Sequence, residues 1–165
     1  MNRRYFWIPL VALVPLLWAL TPGRLAYAPG ADLAPLAKAA LIPGTEERVV
    51  PADSPSDWVV VYLHGFSATR QETAPLAERV AAGLGASLVE ARLAGHGYVD
   101  NPMRGVLAEH WMADAERILV QATKLGDKLV VIGSSTGATL AAAMLDLPAA
   151  ERIHTLVMLS PNFLP

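Results

Sequence analysis

Cysteine is absent from the 165-residue chain. That excludes a disulfide framework, a thiol nucleophile and thiolate metal sites, and it leaves the redox compartment open. Charge is scarce as well. Asp, Glu, Lys and Arg make up 17% of the residues and the formal net charge is −2. Such a balance speaks against a general nucleic-acid or anionic-surface binder. There is no internal repeat and no low-complexity tract. What the chain does have is apolar residues: 53% are hydrophobic and the mean hydropathy is +0.36. That is high for a soluble protein of one ordinary domain, so part of the chain is expected to meet a membrane or to be removed.

Residues 1–28 have the composition of a targeting segment. Met1-Asn2-Arg3-Arg4 is basic, Tyr5 to Leu20 is uncharged and almost wholly apolar, and Ala26-Tyr27-Ala28 is a small-x-small cleavage pattern. Residues 5–20 are short for a bilayer and carry Pro9 and Pro15, whereas Pro29 disfavours cleavage after Ala28. A cleaved export signal and an uncleaved N-terminal apolar helix therefore both stand. Either puts the rest of the chain on the far side of the membrane, which predicts an exported, periplasmic or otherwise extracytoplasmic domain. Residues 29–57 read as a connector, with an early edge strand at Glu47-Arg48-Val49-Val50.

Beyond it, strands alternate with helices. Trp58 to Leu63 is a continuous apolar run of the kind buried on both faces of a parallel sheet. A helix is predicted from about Thr73 to Leu84, with Pro75 in its first turn and Leu76, Val80 and Leu84 on one face. A strand follows from Ala86 to Leu93. The next helix, about Glu109 to Lys124, places Trp111, Ala115, Ile118, Leu119 and Ala122 inward and Asp114, Glu116 and Arg117 outward. Lys128 onward gives a central strand, a helix from Ser135 to about Leu147, and a last strand from Ile153 to Leu159. The alternation predicts an α/β fold built on a doubly wound, mostly parallel sheet.

The chain's chemistry gathers at Gly133-Ser134-Ser135-Thr136-Gly137. A G-x-S-x-G pattern between an apolar strand and a helix is the setting of a nucleophile elbow. The glycines allow a sharp turn with neighbouring chain pressed close. Ser135 then stands at a helix N-terminus, where free N–H groups favour a developing negative charge. Two further segments sit at strand ends: His64-Gly65-Phe66, and Arg92-Leu93-Ala94-Gly95-His96-Gly97.

In that order and spacing the three segments resemble the N-terminal half of an α/β-hydrolase, closest to bacterial carboxylesterases and monoacylglycerol-lipase-like enzymes. The likeness covers roughly residues 58–160. It implies Ser135 as nucleophile and an oxyanion hole from the backbone N–H groups of Phe66 and Thr136. His64, Gly65, Gly133, Gly137 and His96 would support the site, with His96 a loop residue and not the base. It implies no metal and no organic cofactor, and a small-molecule or lipid-like ester as substrate. Of the remaining histidines, His110 is expected to face solvent and His154 to be structural; Trp111 is expected in the core.

The family's triad runs Ser, then Asp or Glu, then His. Here Ser160, Pro161 and Asn162 follow the last strand, and no histidine follows His154. A general base and its orienting acid are therefore missing, and neither His64 nor His96 is expected to stand in. The expectation is a sheet lacking its C-terminal strands, part of a longer hydrolase, inactive alone and with an exposed apolar edge prone to self-association. A non-catalytic scaffold, or peptidase, thioesterase or acyltransferase chemistry on the same fold, stays open.

Overall fold

The six residues Trp58–Leu63 form strand β2, and their side chains alternate between two cores. Val59, Val61 and Leu63 face one side; Val60 and Tyr62 face the other. A strand buried on both faces needs neighbours on both edges, and β2 has them. The computed structural model describes residues 40–99, 103 and 105–163. The expected targeting segment, residues 1–28, and the start of the connector lie outside these residues.

The sheet has five strands in the order β1-β3-β2-β4-β5. They are β1 (Arg48–Val50), β2, β3 (Ser87–Glu90), β4 (Lys128–Ser134) and β5 (Ile153–Leu159). Only β1 runs antiparallel, on the edge beside β3; the other pairings are parallel. Among the described residues β5 pairs on one side only, and it leaves Val157 and Met158 exposed. No helix among the described residues is long and apolar enough to cross a membrane.

Among the described residues three α-helices cover the two faces. Helix α1 (Leu76–Leu84) packs on one face; α2 (Ala108–Ala122) and α3 (Thr136–Ala143) pack on the other. The inward face of α2 is as expected, with Ala115, Ile118, Leu119 and Ala122 fully buried. The face of α1 is so only in part, through Val80. Ala77 and Ala81 are the buried residues, and Leu76 and Leu84 are exposed. Two methyl-sized side chains let α1 lie close over Val60, Tyr62 and Leu88, and the leucines are left at the rim. The helix also begins later than the sequence pattern suggests, with Pro75 just ahead of its first turn. Gly85 ends it in the left-handed conformation, φ 60°.

The connector is more than a linker. Residues 40–47 form a strap across the ends of two site loops. The Ile42 N–H donates to the Gly97 carbonyl at 2.8 Å and the Val99 N–H to the Ala40 carbonyl at 2.9 Å. The Thr45 hydroxyl meets the carbonyls of Ile42 at 2.6 Å and Gly97 at 2.9 Å. A Cβ on Gly97 would lie 2.6 Å from the Thr45 Oγ1, so the close approach requires glycine there. Glu47 then closes a two-point ion pair with Arg117 of α2, at 3.0 and 2.7 Å.

Candidate active site

The strand order decides where a site can form. From β2 the chain crosses to β3 on one side; from β4 it crosses to β5 on the other. The crevice at the C-terminal ends of two such strands is where open α/β sheets bind ligands. Here those ends carry His64-Gly65-Phe66 and Ser135.

Ser135 has φ 48° and ψ −114°, a conformation L-residues rarely adopt. Such a backbone stores on the order of 1–3 kcal/mol and persists only where its surroundings fix it. They do. The Ser135 N–H donates to the Leu159 carbonyl at the end of β5, 2.8 Å away. Its carbonyl accepts from the N–H groups of Ala138 and Thr139, both at 3.1 Å, which starts α3. A Cβ on Gly137 would lie 2.1 Å from the Leu63 carbonyl oxygen, and one on Gly133 2.5 Å from the Ala138 Cα. Both obstacles are backbone and cannot move aside. The sharp strand-to-helix turn read from the sequence is therefore present at residues 133–137.

The loop after β2 abuts this turn. A Cβ on Gly65 would lie 3.3 Å from the Ser135 Cβ. The N–H groups of Phe66 and Thr136 donate to no acceptor among the described residues. The loop is held by Glu72, which no sequence motif marks. Its Oε2 accepts from the Gly65 N–H at 2.9 Å and from the Tyr62 hydroxyl at 3.0 Å. Burial, with the Glu72 carboxylate adding to it, pushes the Tyr62 phenol well above its ordinary pKa.

His64 and His96 have no free nitrogen to offer. Nε2 of His64 accepts the Leu93 N–H at 3.1 Å, which leaves the proton on Nδ1, donated to the Gly65 carbonyl at 2.9 Å. Burial lowers its pKa to about 4, so the ring is neutral at ordinary pH. His96 is fixed alike, its Nε2 accepting from the Ser67 N–H at 3.0 Å and its Nδ1–H donating to the Ala94 carbonyl at 3.0 Å. The rings meet edge to face, centroids 4.8 Å apart. Both tie the loop after β2 to the loop after β3. His110 is half-buried, not solvent-facing, because its Nδ1 takes the Leu107 N–H at the start of α2. His154 lies against Trp58 at the opposite end of the sheet.

Asp114 corrects a second expectation. It points inward, because its Oδ2 accepts the Ala94 N–H at 2.7 Å. Burial raises its pKa, and the Ala94 hydrogen bond and Arg117 pull it back. Trp111 serves both core and site. It packs against the sheet, its indole N–H donates to the Ala94 carbonyl at 2.9 Å, and its ring meets the exposed Phe66 ring at 5.9 Å. Helical spacing alone cannot separate these uses. Asn162, read from the sequence only as standing where a carboxylate is missing, donates from Nδ2 to the Ser135 Oγ at 3.0 Å. No cluster of metal-ligating side chains occurs among the described residues.

Residues 54–165 match the sequence profile of the serine aminopeptidase S33 hydrolases. The chain belongs to that family. Its fold is an α/β-hydrolase fold in part, as the sequence resemblance implied. Among solved structures, this S33 chain is similar to one described with LipS and LipT, metagenome-derived lipolytic enzymes. The identity is 30% and the TM-score 0.60, over 68% of this chain and 44% of that one. It also resembles Est1E from Butyrivibrio proteoclasticus, solved with ferulic acid, at 19% identity and TM-score 0.57, over 70% and 48% of the two chains. A thioesterase domain from the curacin biosynthetic pathway matches at 25% identity and TM-score 0.52, over 72% and 43%. The chain thus spans less than half the length of each of these proteins. No curated protein matches its sequence.

Proposed function

We propose that this S33-family chain carries the nucleophile and oxyanion-hole half of a serine hydrolase acting on carboxylic esters of small or lipid-like alcohols. The supporting observation is Ser135, held at φ 48° on the strand–helix turn beside two N–H groups that have no acceptor among the described residues. In this reading Oγ attacks the ester carbonyl carbon. The carbonyl oxygen gains the charge and takes hydrogen bonds from the Phe66 and Thr136 N–H groups. The intermediate collapses to an acyl-enzyme with loss of the alcohol, and water releases the acid. The lipolytic relative at 30% identity leans the substrate toward esters. The family's name keeps peptide bonds in view.

The proton on Oγ needs a base, and the chain's four histidines are all spoken for or remote. Activity in this reading requires an imidazole from outside these residues, and the 165-residue chain alone is silent. The basic start and apolar run at residues 1–20 support an extracytoplasmic location for the domain in the same reading.

The test supplies the base. The chain is incubated with a fluorophosphonate probe, with and without added imidazole, and the label is mapped by mass spectrometry. Labelling confined to Ser135 and accelerated by imidazole is expected. Labelling spread over several serines, or lost to no greater extent in Ser135→Ala than in other serine variants, refutes the nucleophile. Ser135-dependent hydrolysis of p-nitrophenyl butyrate by the monomeric chain at ordinary enzyme rates, without imidazole, refutes the missing base. Faster turnover of an aminoacyl p-nitroanilide than of the ester, in the same imidazole-supplemented assay, assigns the peptide reaction instead.

A further inference from the structure

We propose that Asn162 is a catalytic residue: a hydrogen-bond donor to the reacting oxygen that stabilises negative charge on the Ser135 Oγ. The proposal rests on the Ser135 reading above and adds a group that reading does not contain. The geometry is direct. Asn162 Nδ2 stands 3.0 Å from Oγ, with the N–H donating. Its backbone is pinned by a second contact, the Asn162 N–H donating to the Thr139 Oγ1 at 3.0 Å. Thr139 in turn donates its hydroxyl to the Ser135 carbonyl at 3.3 Å. One residue on the first turns of α3 therefore joins the serine's backbone to the backbone of the donor. The main-chain bond from the Ser135 N–H to the Leu159 carbonyl fixes the strand end from which Asn162 extends.

A neutral donor on a hydroxyl oxygen contributes little, because water would do the same. On a charged oxygen it contributes about twice as much. The charged form of Oγ arises when the acyl-enzyme breaks down. Water adds to the acyl carbon and gives its proton to the base. The C–Oγ bond then breaks, its electron pair passes to Oγ, and the protonated base returns a proton there. While the pair builds up, the Asn162 N–H is already aimed at it. In acylation the same donor holds the lone pair that must attack. The same charge develops on Oγ when the base takes its proton in acylation, so Asn162 assists both capture and release of the acyl group.

The absence of cysteine gives a direct measurement. Ser135→Cys puts a single thiol into the chain, and a thiolate titrates with no base, no acid and no ester present. Its pKa, read from the pH dependence of iodoacetamide labelling, reports the donors at this position. Adding Asn162→Ala is expected to raise that pKa by roughly one pH unit, and Asn162→Asp by roughly two, since the carboxylate removes the donor and adds a like charge. A merely structural role leaves the titration where it was. Asn162 is exposed, and the nearly isosteric Asp variant reads the effect even where the Ala variant unfolds, as circular dichroism would show. A thiol pKa unmoved within a few tenths of a unit in a folded variant overturns the proposal. Because no acyl transfer is involved, a failed fluorophosphonate assay leaves this measurement standing. An unmoved thiol pKa removes Asn162 from the site without touching Ser135 as nucleophile.

Discussion

Acid should weaken this fold through His64 before its carboxylates titrate. The side chain is fully buried, both nitrogens are engaged, and its pKa is about 4. In the unfolded chain the same imidazole titrates at about 6.5. The folded pKa is the lower one, so the contribution is whole above the unfolded value and is lost as pH falls. Between pH 7 and pH 5 the unfolded chain takes up a proton that the folded chain refuses. Integrating the linkage relation over that window gives a loss of about 2 kcal/mol. His96, also lowered by burial, adds in the same direction. The assay is urea unfolding followed by tryptophan fluorescence at pH 7, 6 and 5. His64→Gln, less stable at pH 7, should show the smaller fall with acid. Equal slopes for the two proteins would mean that His64 is protonated in the folded state, and the neutral loop-fastening role drawn from its two hydrogen bonds would be wrong.

Three further substitutions follow from close approach and from reach. Gly137→Ala should cost at least about 3 kcal/mol or abolish folding, since its Cβ meets backbone oxygens 2.1 and 2.6 Å away; Gly83→Ala in α1, where nothing lies within 4 Å, should stabilise by about 1 kcal/mol. Urea midpoints measure both, and a Gly137→Ala chain as stable as the parent would discredit the turn. Asn162→His would put a ring nitrogen where Nδ2 now stands, 3.0 Å from Oγ. Fluorophosphonate labelling at Ser135 without added imidazole should then rise on the order of 10²-fold. No rise would show that the Oγ is turned from Asn162.

The parts of this protein legible in the sequence are those fixed by local pattern. Trp58–Leu63 and Ile153–Leu159 read as strands to the residue: the first is an unbroken apolar run, the second an apolar stretch interrupted only by His154 and Thr155, and turn residues bound both. The Ser135 turn was legible because its two glycines leave a mark. The misplaced face of α1 came from weighing leucines over alanines, when the sheet takes the small side chains. Asp114 read as outward on helical spacing, and only the Ala94 N–H, 20 positions away along the chain, turns it in. Glu72 carries no local pattern, and Asn162 reads only as a missing carboxylate, since their contacts to Gly65, Tyr62 and Ser135 are made by the folded chain.

The strap over Gly97 sets a boundary for any maturation event upstream. Scission at Ala28, the small-x-small position, would leave the hydrogen bonds of Ala40, Ile42 and Thr45 untouched. A protease cutting between Ala40 and Glu47 would instead break the strap whose hydrogen bonds hold Gly97 and Val99, and loosen the far wall of the crevice that Phe66 borders. Any cut that spares the fold therefore falls upstream of Ala40.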